Sequence, residues 1–343
     1  MRILVLFDGM SGVSFHRLYT PYARLQLDYD VTVDISQNKN EWADLPYEKY
    51  DVVVFNRWLG HLQYNILPIL AKKKIPFICD NDDYWVLPRH NPAYKFYRAY
   101  LKNGVKDAIA YADAVTCTTP QLADKIREFN PNVFILPNAV DPIQRQWNAQ
   151  TIHPKTIGWV GGISHVEDLK LLSGQIKPIC EEYGYRFLMC GYHANSKMWV
   201  EMERAITGEY PHKRPKWFQV REGTRADIYG TYYSEIDIVL APLKDDKFNR
   251  YKSELKIIEA GAYKLPILVS KVEPYTNHRN NLGVLFVTNN DWMTPLRQLI
   301  RSEKSKDVGL INHAYCDVHH NIAAINHSRM EVLLSVVNNG NTK

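Results

Sequence analysis

Short apolar runs, each followed by a polar or glycine-rich stretch, set the rhythm of the chain. RILVLFD (2–8), YDVTVDI (29–35), YDVVVFNR (50–57), IPFICDND (75–82), ADAVTCTT (112–119) and VFILPNAVD (133–141) read as strands, with amphipathic stretches between them. Runs that are apolar throughout, rather than alternating, predict strands buried on both faces of a parallel sheet. The pattern stops at PIQRQWNAQTIHP (142–154). It begins again with TIGWVGG (156–162), YRFLMCGY (185–192), EIDIVLAP (235–242), ILVS (267–270) and GVLFVT (283–288). Strands alternating with helical segments predict an α/β chain of two doubly wound domains. The expected division is a first domain at 1–141, a linker at 142–154, a second domain at 155–314 and a C-terminal helical segment at 315–343.

Ligands of open α/β sheets bind beyond the carboxyl ends of the strands, so the loops that follow strands carry the candidate chemistry. After the first run, GMSGVSFHRLYTPYARL is a glycine turn entering a helix. Gly9 and Gly12 let the backbone approach a ligand, and His16 and Arg17 stand at the helix start. Gly161-Gly162 followed by ISHVEDLKLL forms a second such turn, with His165 and Asp168 in the first turns of its helix. Neither has the glycine spacing of a dinucleotide fingerprint. Asp80, Asp82 and Asp83 crowd the end of the fourth run, where like charges raise one another's pKa unless a cation or donor intervenes. Three roles are open for them: orienting an acceptor hydroxyl, capping the following turn, or binding a divalent metal.

The densest chemistry lies at 246–270, DKFNRYKSELKIIEAGAYKLPILVS. A polar loop runs into a helix whose apolar face is Leu255, Ile258 and Ala262, and Lys264-Leu265-Pro266 stops it. A helix N-terminus offers unpaired N–H groups, and Arg250 and Lys252 add cations, so a phosphate is well held there. Glu259 lies deeper in the helix, where a carboxylate can receive sugar hydroxyls.

This stretch, together with Pro137-Asn138-Ala139-Val140-Asp141, resembles the GT-B glycosyltransferases, and more narrowly their large retaining family four. The resemblance covers both domains, most strongly at 131–141 and 246–275. It implies two Rossmann-like domains facing a cleft, with the C-terminal helix crossing back to the first. It further implies that the second domain binds a nucleotide-diphosphate sugar, such as a UDP-sugar, through Gly161, Gly162, His165, Arg250, Lys252, Ser253 and Glu259. Glu259 takes the place of the glutamate that holds the ribose, while Tyr251 stands where the family has another glutamate. Gly12 would line the cleft beneath the donor phosphates, and the first domain would present an acceptor hydroxyl near His16, Arg17, Asp82 and Asp83. Retention of anomeric configuration, no dedicated protein nucleophile, no cofactor and no metal held by a carboxylate motif are implied as well.

Composition adds boundaries to this picture. A chain of 343 residues that is 45% hydrophobic can build two cores. No apolar run approaches the roughly 18 residues of a membrane span, and the first run turns polar after one strand's length, so a cytoplasmic protein without a transmembrane segment is expected. Cys79, Cys117, Cys180, Cys190 and Cys316 have no paired spacing and are expected to be buried thiols. A net charge of +5 permits an anionic partner.

Two segments give that charge a place. KRPKW puts Lys213, Arg214, Lys216 and Trp217 in one expected loop, a candidate contact for an acceptor or polyanion. YKFYRAYLKNGVKDAIAYA (94–112) interleaves aromatics with cations, either to stack on bases or sugars or simply as a helix with one packed and one solvated face. The acceptor is a saccharide, free or lipid-linked, or DNA bearing a hydroxymethylated pyrimidine, as in phage-type DNA glycosyltransferases. For DNA, Tyr84 and Trp85 can stack on a flipped base. From a different class, the chain reads as a non-catalytic binder of sugar nucleotides or nucleic acid.

Overall fold

The computed structural model describes residues 1–57, 63–152 and 155–340. Residues 153 and 154 of the expected linker and 341–343 of the expected terminal segment lie outside the described residues. Two compact units make up the chain. The first comprises Met1–Ala139, Tyr251–Ser253 and the residues from His320 onward, and the second Val140–Arg250 and Glu254–His319.

In the first unit the apolar runs form β1 (Arg2–Leu6), β2 (Thr32–Ser36), β3 (Val52–Asn56), β4 (Phe77–Asn81), β5 (Ala114–Cys117) and β6 (Val133–Ile135). They assemble in the order β2-β1-β3-β4-β5-β6, and every pairing is parallel. Val52–Phe55 are wholly buried, as a strand covered on both faces requires. The strand order reverses between β1 and β3, which opens a crevice at their carboxyl ends. The helix Ile322–Gly340 contributes Met330, Val332, Leu333 and Val336 to the same core as Val5, Val52 and Leu25. It is pinned where the Asn326 amide donates to the Pro21 carbonyl at 2.9 Å. The last helix of the chain is thus part of the first unit's core.

The second unit holds β7 (Thr156–Val160), β8 (Arg186–Tyr192), β9 (Phe218–Glu222), β10 (Ile238–Ala241), β11 (Ile267–Ser270) and β12 (Val284–Val287), in the order β12-β11-β10-β7-β8-β9. Here the switch lies between β7 and β10, both parallel, so the loops after Val160 and Ala241 border the crevice. Its two faces are packed separately, one around Trp159, Leu169, Met189 and Trp292, the other around Trp147, Tyr233, Val239 and Ile257. Residues Arg145–Trp147, expected in a linker, are packed into this unit. The Gln146 carboxamide accepts from Gly230 N at 2.9 Å, and Trp147 is 4% exposed.

All five cysteines are buried and unbridged. Among the described residues no helix is long and apolar enough to cross a membrane.

Candidate functional site

Two loops border the crevice of the second unit. β7 ends at Val160 and passes into Gly161-Gly162, and Gly161 is required by packing. A Cβ there would lie 2.4 Å from the Trp159 indole. His165 and Asp168 follow on the next turns. Asp168 is 3% exposed and ties the loops together. One oxygen accepts from Lys244 N at 2.8 Å and Asn249 Nδ2 at 3.0 Å, and the other lies 2.7 Å from His165 Nδ1. The turn after β7 and the loop after β10 are therefore held by one carboxylate.

The helix Leu255–Ala262 supplies the charge. Lys256 Nζ donates to the Val160 carbonyl and lies 5.6 Å from the centre of the Trp159 ring, which places an ammonium beside the Gly161-Gly162 turn. Sequence reasoning passed over this residue; its signal was a cation one turn before Glu259 on the same helix. Glu259 is 3% exposed and accepts hydroxyl hydrogen bonds from Tyr229 and from Tyr233, the latter at 2.5 Å. Burial pushes its carboxyl above the usual range, while Lys256 and the two hydroxyls oppose the shift. Arg250 is paired outside this helix, with Asp245 at 2.8 Å in an exposed loop.

Lys213, Arg214, Lys216 and Trp217 lie elsewhere. Trp217 immediately precedes β9, whose Phe218 pairs with Phe187 near the start of β8. The loop is therefore at the amino-terminal edge of the sheet, about 17 Å along the strands from the Gly161-Gly162 edge. Arg214 is also committed, forming a two-pronged pair at 2.8 Å with Glu203, whose side chain has no exposed surface. Arg214→Ala is expected to cost about 2 kcal/mol by leaving that carboxylate buried and unpaired. Lys213→Ala and Lys216→Ala should each stay within about 0.5 kcal/mol. Urea denaturation of the three variants checks the difference.

The first unit gathers a second cluster at the ends of β1, β3 and β4. A π-helical turn at Ser14–Tyr19 carries His16 and Arg17 inward, and both are buried. Arg17 is engaged in the frame. Its Nε and Nη2 reach the two oxygens of Asp80 at 3.0 and 2.7 Å, and Nη1 donates to the Leu136 carbonyl at 2.7 Å and to Asn138 Oδ1 at 3.2 Å. Thr116 also donates to Asp80, at 2.7 Å. Burial, with Arg17 adjacent, lowers His16 to about 4, so its imidazole is neutral near pH 7. Gly9 has the left-handed φ of +72°, whereas a Cβ on Gly12 meets nothing within 4 Å, so the turn itself rests on Gly9.

Asp82 and Asp83 face two cations. Arg57 Nε lies 3.1 Å from Asp82, and Lys252 Nζ lies 3.8 Å from Asp83. Burial, reinforced by Asp83 and Asp80 and opposed by Arg57, pushes the Asp82 carboxyl up to about 6. Arg57 is the second residue that sequence reasoning missed. It closes the run YDVVVFNR and adopts a left-handed φ of 37°, a strained conformation for arginine that surrounding structure must enforce. Ser253 accepts from Asn138 Nδ2 at 2.9 Å, and Tyr251 packs on Tyr84 with ring centres 4.8 Å apart. Tyr251, Lys252 and Ser253 thus join the first unit, while Lys256 and Glu259 belong to the second.

No family model and no curated protein matches the sequence. Solved structures do. An alpha-glucosyltransferase in complex with UDP and a 13-mer DNA containing a HMU base superposes with a TM-score of 0.70 at 13% identity, covering 97% of this chain and 99% of its own. A sucrose-phosphate synthase from Thermosynechococcus elongatus matches with a TM-score of 0.69 at 12% identity, covering 98% of each chain. A glycosyltransferase from Rickettsia africae gives 0.67 at 12% identity, covering 98% of this chain and 99% of its own. With both sheets and their strand orders in place, the chain has the GT-B fold of these transferases.

Proposed function

We propose that the protein is a glycosyltransferase that moves a sugar from a nucleoside-diphosphate sugar to an acceptor hydroxyl with retention of configuration. The observation that carries this reading is the Lys256 ammonium beside the Gly161-Gly162 turn at the strand-order switch, with Glu259 one turn further along the same helix. The turn and Lys256 hold the diphosphate, and His165 is aligned by Asp168 beside them. Glu259, fixed by the Tyr229 and Tyr233 hydroxyls, takes the ribose hydroxyls in this reading. In the reaction the acceptor oxygen bonds to the anomeric carbon as the bond from that carbon to the diphosphate oxygen breaks. The electron pair leaves with the diphosphate, and the acceptor proton passes to it or to a carboxylate. Charge develops on the leaving oxygen, so a fixed ammonium there stabilises the transition state more than the ground state.

In the first unit, Asp82 and Asp83 orient the acceptor hydroxyl. Asp82, with its carboxyl raised to about 6, is suited to exchanging a proton near neutrality. Arg17 acts here as a positioning residue, since its donors are spent on Asp80, Leu136 and Asn138. Uridine is the favoured base and a hydroxymethylated pyrimidine of DNA the favoured acceptor, supported by the complex of a similarly folded alpha-glucosyltransferase with UDP and HMU-containing DNA. A saccharide is the alternative acceptor.

The test is UDP release from UDP-glucose and other UDP-sugars with each acceptor. Glu259→Gln is expected to lower kcat/KM about 10- to 100-fold, the worth of one hydrogen bond to a charged group. A chain that turns over no donor, with or without acceptor, would sink the enzyme reading. A second reading, a sugar-nucleotide binder without turnover, draws on Tyr251, an aromatic packed on Tyr84 where the resembled family has a glutamate. Tight UDP binding with no transfer would establish it.

A further inference from the structure

We propose that a cavity in the first unit lined by Trp85, Val86, Leu87, Tyr94, Tyr97 and Arg98 receives a single unstacked nucleobase of a nucleic-acid acceptor, with Arg89, Lys95 and Arg98 holding the adjoining phosphates. The inference rests on the transferase reading above and names the acceptor-binding surface of its first unit.

Size and lining come first. The cavity encloses about 110 Å³ and is half open to solvent. A fully enclosed six-membered aromatic ring needs roughly 150 Å³, so a pyrimidine fits with one edge projecting. Tyr94 and Tyr97 are half-buried and Trp85 buried, which supplies apolar ring surface on a rigid base. Base–aromatic stacking tolerates any base, so such a lining selects a flat ring rather than a sequence.

Position comes second. Tyr97 begins a π-helical turn, Tyr97–Leu101, a distortion that is common at functional sites. Trp85, in the wall of the cavity, stands two residues after Asp83 and three after Asp82, whose carboxyl pairs with Arg57 at 3.1 Å. The wall of the cavity thus follows directly in the chain on the carboxylates assigned to the acceptor hydroxyl.

Charge decides between acceptors. From Tyr84 to Lys106 the chain carries Arg89, Lys95, Arg98, Lys102 and Lys106 and no Asp or Glu. Arg89, Lys95 and Arg98 are exposed around the cavity segment, and Phe96 beside them is 54% exposed. A neutral saccharide has no charge to meet these cations, whereas a polynucleotide brings one phosphate per base. An exposed phenyl ring next to them offers a platform for a neighbouring base.

The experiment titrates the full chain into a short fluorescein-labelled single-stranded oligonucleotide containing one 5-hydroxymethyluracil, followed by anisotropy at several salt concentrations. Binding is expected to weaken linearly on a log–log plot of salt. Arg98→Gln and Lys95→Gln, both on exposed side chains, should each reduce the salt slope by about 1. Tyr97→Leu should weaken binding about 10-fold at constant slope. Maltotriose should not displace the oligonucleotide. No oligonucleotide binding, wild-type affinity and salt slope in both Arg98→Gln and Tyr97→Leu, or displacement by maltotriose would overturn the proposal. Calorimetry with UDP on the wild-type chain separates the two readings. UDP bound without oligonucleotide removes this inference alone, and no UDP bound strikes the transferase reading itself.

Discussion

Lys256→Ala is expected to lower kcat/KM for a UDP-sugar by about 10²- to 10³-fold, the usual cost of removing one preorganised donor from a developing anion. UDP affinity should fall with it, because the ammonium beside Gly161-Gly162 meets the diphosphate in both ground and transition states. The fold should tolerate the change. Lys256 is half-buried, and its internal contacts include a hydrogen bond to one carbonyl and a contact with the Trp159 ring. Lys252→Ala provides the contrast. That ammonium lies 3.8 Å from Asp83 in the first unit, so its loss should act on the acceptor side, raising the acceptor KM while UDP affinity stays near wild type. Calorimetric titration of UDP into both variants, with steady-state kinetics, checks the pair. If Lys256→Ala binds UDP like the wild type, the assignment of the diphosphate to this helix fails.

Arg17→Leu is expected to destabilise the first unit by about 3–5 kcal/mol, because it strands the Asp80 carboxylate in the core. Asp80 is 3% exposed and keeps donors from Thr116 and Asn56, but no other cation makes a hydrogen bond to it among the described residues. The Leu136 carbonyl and Asn138 also lose their donor, which loosens the end of the segment after β6. The double variant Arg17→Met/Asp80→Leu should recover much of the loss, since replacing a buried pair by apolar groups of similar volume is often near neutral. Guanidinium unfolding of the two variants distinguishes an ion pair from mere packing. A single variant no less stable than the double would show that Arg17 acts through its bulk.

The contrast between Arg17 and Lys256 shows where sequence reading stops. The apolar runs were legible because a strand buried on both faces must be apolar throughout, and that requirement is local. The helix that bears Glu259 was legible because its apolar face and its stop at Lys264-Leu265-Pro266 are local signals. Arg17, by contrast, stands at a helix start after a glycine turn, where a cation reads as ligand-facing. Its partner Asp80 is 63 residues away, and that pairing turns it into part of the frame. Arg214 was misleading in the same way, since Glu203 lies on the preceding helix and consumes its charge. Arg57 drew no notice because a residue closing a strand run carries no motif, and its value comes from Asp82, just past the end of the neighbouring strand β4.

By itself, then, the sequence determined the α/β class, the two parallel sheets and the helix that bears Glu259, because hydrophobic periodicity and helix signals act over a few residues at a time. The tertiary structure decided which charges remain for a ligand. Strand order brings the loop after β7 beside that after β10, and it sets Lys256 against Val160, 96 residues earlier in the chain. It also draws Tyr251–Ser253 into the first unit, separating Lys252 from the helix that follows it. A cation's role depends on the nearest opposite charge, and only chain closure determines which charge that is.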